Sequence, residues 1–103
     1  MQLYIVVGGA AGKKAVAVFS TRQRALTFIE ERGVRNAQVE ERQLPAGYQY
    51  PDEVHAAHVS RTGGNGLVFS GLFIDPLEAE QGAGEGGLVL TFRPDGKKVE
   101  DIH

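Results

Sequence analysis

Apolar residues fall along the chain in two patterns, short β-rich runs and one longer run at helical spacing. Leu3 to Val7 and Ala15 to Phe19 are rich in β-branched and aromatic residues. They flank Gly8-Gly9-Ala10-Ala11-Gly12-Lys13-Lys14, whose glycines accept the positive φ that a chain reversal needs, so the segment predicts a β-hairpin. Ala25, Phe28 and Ile29 then recur at helical spacing with Leu26 beside them, and polar Arg22, Gln23, Glu30 and Glu31 lie elsewhere on the surface. Ser20 or Thr21 caps this helix, Ser20 having Gln23 three residues on, and Gly33 ends it. Ala37, Val39 and Glu41 alternate with Gln38, Glu40 and Arg42, which predicts a strand with one wet face that stops at Leu44-Pro45-Ala46-Gly47.

The second half repeats that order. Val54 to Ser60 and Leu67 to Ile74 read as strands around Arg61-Thr62-Gly63-Gly64-Asn65-Gly66. Asp75, Pro76 and Glu78 make a helix start, and Gly82, Gly84, Gly86 and Gly87 are expected to end that helix within two or three turns, since each interior Gly costs about 1 kcal/mol. Leu88, Leu90 and Phe92 alternate with Val89, Thr91 and Arg93 as a last strand. Phe19, Thr21 and Ala25 match Phe73, Asp75 and Ala79 without a gap, and Pro45-Ala46-Gly47 matches Pro94-Asp95-Gly96. The expected fold class is α+β: two tandem ββαβ pseudo-repeats, mostly antiparallel sheet or sheets, with two helices packed on one face. A single domain over 1–103 is expected, with one pseudo-repeat over 1–47, a linker over 48–51 and the other over 52–103. Pro51 to His58 has enough helix propensity to compete, and the repeat decides for a strand.

Composition narrows the chemistry. With 103 residues and no cysteine, the chain has no disulfide, thiolate zinc site or cysteine nucleophile. The start at Met1-Gln2-Leu3 lacks the basic opening of a signal peptide, and no segment approaches the roughly 18 apolar residues of a membrane span, so a soluble cytoplasmic protein is expected. The net charge of −2 hides an asymmetry: up to Tyr50, seven Lys or Arg stand against four Glu, a balance of +3, and beyond it four stand against nine acids, a balance of −5.

Each apparent motif fails on context. Val7 to Lys14 resembles a degraded Walker A loop, with Val7 in place of the first Gly, Lys14 in place of the hydroxyl, and a strand following. Gly82 to Gly87 satisfies GxGxxG, yet it follows a helix and precedes a strand, the reverse of the dinucleotide fingerprint. His55 and His58, with Asp52 and Glu53 nearby, would share a metal only on a helix, because residues three apart on a strand face opposite ways. Ser20, Ser60 and Ser70 have no nucleophile-elbow context. No catalytic, cofactor-binding or metal residue is therefore assigned.

Ala17 to Glu31 resembles a strand-into-helix phrase found in many small uncharacterised bacterial and phage proteins. The resemblance implies architecture and carries no functional residue with it. The expected function is a non-enzymatic protein-binding module, a regulatory adaptor or an immunity-type protein, which suits open sheet edges and oppositely charged halves. Tyr48, Tyr50, Arg22 and Arg24 are the expected partner contacts, and a homodimer is one form the partner takes. The alternative is a nucleic-acid-associated protein using the basic first half.

Overall fold

The computed structural model describes residues 2–9, 14–44, 53–60 and 66–96. Strands β1 (Gln2–Gly8) and β2 (Lys14–Phe19) form an antiparallel hairpin, α1 (Arg22–Arg32) follows, and β3 (Gln38–Gln43) returns beside β1. The second half runs β4 (Val54–Ser60), β5 (Leu67–Phe73), α2 (Pro76–Ala83) and β6 (Leu88–Phe92), and closes with the 3-10 turn η1 (Pro94–Gly96). The sheets have the orders β2-β1-β3 and β5-β4-β6, so in each the first strand of the half is central. The protein is thus an α+β fold of two ββαβ halves. The competition over 51–58 resolves as a strand from Val54 onward, where alternate side chains bury Val54, Ala56 and His58 on one face.

The helix caps explain where each helix begins. Thr21 accepts a hydrogen bond from the Arg24 N–H at 3.2 Å, and Asp75 accepts one from the Leu77 N–H at 2.9 Å, each meeting a donor that the first turn leaves unpaired. Thr21, not Ser20, is the cap of α1, since the Ser20 side chain is engaged elsewhere. Ala25 and Ala79 are the fourth residues of their helices and both are fully buried, which brings each helix close onto its sheet. Gly33 ends α1 in the left-handed conformation, as expected. Gly82, expected among the residues that end α2, lies inside it. A Cβ there would come within 2.9 Å of the Phe73 ring, so close packing of the helix on β5 outweighs the helical cost of glycine.

Two apolar layers result. Val6, Ala17, Phe19 and Ala25 pack together with Tyr4, Phe28 and Val39 beneath α1. On the opposite face, Leu3, Ile5, Val7, Ala15 and Val18 meet Val54, Ala56, Phe69 and Leu72 of the other sheet in one cluster. Each helix therefore covers one face of its own sheet, and the sheets meet through their remaining faces. This corrects the expectation for β3. Arg42 and Glu40 pair with Leu3 and Ile5, so their side chains sit at the sheet–sheet layer, and the Arg42 guanidinium lies 5.0 Å from the centre of the Phe69 ring.

Strand register also refines the match between halves. Tyr4 pairs with Phe19 and His55 with Phe73, which makes Tyr4 and His55 counterparts. Leu3 pairs with Arg42 and Val54 with Phe92, which makes Leu44 the counterpart of Pro94, both buried. The Pro45 to Pro94 match is therefore one residue out of register, and Pro45 to Gly47 lie outside the described residues.

Candidate functional site

Both hairpins carry a β-bulge at the same place. Val6 and Val7 face Ala17 and Ala15, leaving Val16 without a partner, and Ala57 and His58 face Gly71 and Phe69, leaving Ser70 without one. The second bulge is held by Ser70, whose hydroxyl donates to the Ala57 carbonyl at 3.3 Å. At the first, the Ala15 N–H donates across the sheet–sheet layer to Nε2 of His58 at 2.9 Å. An accepting Nε2 leaves the ring proton on Nδ1, which donates to the Leu88 carbonyl at 3.3 Å. The imidazole is fully buried, with the Phe69 ring edge-on at 5.9 Å. Burial, and to a smaller degree the positive charge of Lys14, lowers its pKa below the ordinary 6.5, although the carbonyls of Leu88 and Ala56 act the other way.

His55 faces the other side of β4, where its Nδ1 lies 2.9 Å from the Thr91 hydroxyl. The two imidazoles thus diverge as the strand reading requires, and among the described residues no group of three His, Cys, Asp or Glu side chains could hold a metal ion. The strand after Val7 and the helix before Gly84 likewise give the two glycine-rich segments the contexts read from sequence.

The structure places Arg22 and Arg24 on the outer surface near the start of α1, each with an internal partner. Arg22 forms an ion pair with Glu41 and lies 5.8 Å from the Tyr4 ring centre, and Glu41 also accepts from the Gln2 amide at 2.6 Å. Arg24 approaches Asp95 at 3.5 Å. Asp95 is the centre of a clamp between the halves: its carboxylate accepts from the Ser20 N–H at 2.9 Å and from the Ser20 hydroxyl at 2.8 and 3.0 Å. Tyr48 and Tyr50 lie outside the described residues.

Among the described residues, candidate docking features include a cavity and the edge strands β2, β3, β5 and β6. A cavity of about 230 Å³ lies between Leu44 and the β5–α2 junction, lined by Leu72, Ile74, Asp75 and Glu78 among others, smaller than the roughly 300 Å³ at which small-molecule sites begin. Strand β6 is one of the free edges. Among the described residues no strand pairs with its outer side, and its five residues, Leu-Val-Leu-Thr-Phe, carry no charge and are half-buried except for exposed Thr91. The corresponding edge, β3, holds Glu40, Glu41 and Arg42 among its six residues.

His58 could have been recognised in the sequence as the inward continuation of Val54 and Ala56. The Ser20–Asp95 clamp joins residues 75 apart and leaves no local signal. Comparison with known proteins found no matching family model, no matching curated protein and no matching solved structure.

Proposed function

We propose that this chain is a non-enzymatic protein-binding module, an adaptor or immunity-type protein, which takes an extended segment of its partner onto the free edge of β6. The observation that carries the reading is the contrast between the two third strands. Charged side chains on an edge deter the addition of another strand, and β3 has them. Strand β6 occupies the same place in its sheet with an uncharged, half-exposed sequence, which suits strand addition through main-chain hydrogen bonds with side-chain pockets providing selectivity. A second copy of the chain is one partner able to supply such a strand.

The nucleic-acid reading gains less support. Arg22 and Arg24 are each partnered by a carboxylate, which reduces the charge they offer to phosphate. No membrane partner is proposed, and among the described residues no helix is long and apolar enough to cross a bilayer.

The test compares capture of binding proteins by the wild type, by Thr91→Lys on the β6 edge and by Gln43→Lys on the β3 edge. The expected result is a nuclease-resistant protein partner retained by Gln43→Lys and reduced at least tenfold by Thr91→Lys. Equal capture by all three removes β6 as the docking edge, and capture that disappears with nuclease favours nucleic acid instead.

A further inference from the structure

The buried imidazole between the sheets points beyond partner binding. His58 belongs to β4, yet its Nε2 is the acceptor for an N–H of β2 in the other half, and its Nδ1–H is held by the first residue of β6. One ring therefore joins both sheets, and it does so only as the neutral Nδ1–H form. We propose that His58 is an acid-operated latch: a proton on Nε2 removes the acceptor for Ala15, sets two N–H donors against each other, and releases β2 from the second sheet.

The surroundings give the imidazolium little to replace what is lost. From β2, the facing charge is Lys14, which is positive and adds repulsion. Strands β5 and β6 contain no titratable residue and present the Phe69 ring and the Leu88 carbonyl. Strand β3 brings Glu40 and Arg42 to the same layer, where the two pair with each other at 3.2 Å and the guanidinium lies over the Phe69 ring, so the Glu40 carboxylate is already engaged. The one titratable side chain of β1, Tyr4, lies on the opposite face with α1, as His55 does on β4 with Thr91. Helix α2 covers that same far side of the second sheet, so Glu78 and Glu80 do not face the ring. Asp95 is engaged with Ser20, beyond the far end of β2 from Ala15. A buried charge without a carboxylate partner is strongly disfavoured, so protonation goes with opening.

The sign follows from burial. The imidazole has a lower pKa in the closed form than in an open one, so above about 6.5 both forms are neutral and the latch is fully closed. As pH falls below that value, the open form takes up the proton first, and the closed-to-open ratio drops by up to roughly tenfold per pH unit until the closed form titrates as well.

Amide hydrogen exchange on the whole chain tests the latch between pH 7.5 and 4.5, with protection factors corrected for intrinsic rates. Protection at Ala15 is expected to fall by up to tenfold per unit below pH 6.5, ahead of that at Ala25 and Ala79 in the helices. In His58→Gln, whose amide both accepts and donates without titrating, Ala15 protection should stay level. Unchanged Ala15 protection in the wild type overturns the proposal. So does an equal loss in the Gln variant, or a simultaneous loss at all three amides, which is plain acid unfolding. Should the variant not fold, the wild-type ring decides through its ¹⁵N shifts. Onset of Ala15 exposure together with His58 protonation supports the latch, and separate onsets overturn it.

Discussion

Val7 and His58 occupy the same place in their halves, at the bulge on the inner face of the central strand, and they meet it with different chemistry. Val7 is a buried apolar residue within its sheet, and His58 reaches out of its own sheet to the other. The third strands diverge in the same way. Gln38, Glu40 and Arg42 of β3 stand where β6 has Leu88, Leu90 and Phe92. The difference teaches that one backbone plan tolerates two side-chain solutions provided that caps, close approaches and strand pairing are kept. The first half puts charge on its third-strand edge, and the second leaves that edge apolar.

The sharpest way to break the equivalence is at the entry to the third strand. A Cβ on Gly87 would lie 2.4 Å from the Ala83 carbonyl oxygen and 2.6 Å from that of His58, both backbone atoms with little freedom to move. At the corresponding position the first half has Ala37, and its glycine is instead Gly8, whose Cβ would lie 2.8 Å from the Arg35 carbonyl oxygen. Gly87→Ala should therefore lose about 3 kcal/mol in urea unfolding, whereas Ala37→Gly should lose less than about 1 kcal/mol. Similar losses for both would mean that the halves do not divide this contact between opposite strands.

The clamp sharpens the comparison at lower cost. Ser20 lies where the second half has Ile74, so the hydroxyl that grips Asp95 has no counterpart there. Ser20→Ala keeps the backbone bond and removes the side-chain bonds to a carboxylate, with an expected loss of about 1.5 kcal/mol. A loss below about 0.3 kcal/mol would show that the backbone N–H alone holds η1. The smallest effect belongs to Arg42. Arg42→Met retains apolar volume and gives up the contact over Phe69, for an expected loss of about 0.5 to 1 kcal/mol, and Arg42→Lys should recover little of it. Full recovery by Lys would assign the effect to charge alone.

Element order was legible because local chemistry specifies it. Asp75-Pro76, Gly33 and the alternation of Leu88, Leu90 and Phe92 each act over a few residues, and the structure uses each as its sequence suggests. The facing of β3 was not legible, because Glu40 and Arg42 look solvent-directed until Phe69 is brought beneath the guanidinium by the packing of two sheets. The cap of α1 was ambiguous for a related reason: Ser20 and Thr21 are both competent, and a distant carboxylate takes Ser20. Of the expected partner contacts, Arg22 and Arg24 gave no hint that Glu41 and Asp95 would partner them, since those pairings depend on strand register and on docking of the halves.

The clamp also sets an order of events during synthesis. Each half holds its own sheet and helix, so the first can assemble as soon as β3 has emerged. The corner at Ser20 must wait, because its partner is made 75 residues later. Closure of the clamp through Asp95 is thus a late, high-contact-order step, and a chain stalled before Val54 to Leu72 have emerged exposes the inner face of its first sheet to whatever lies nearby.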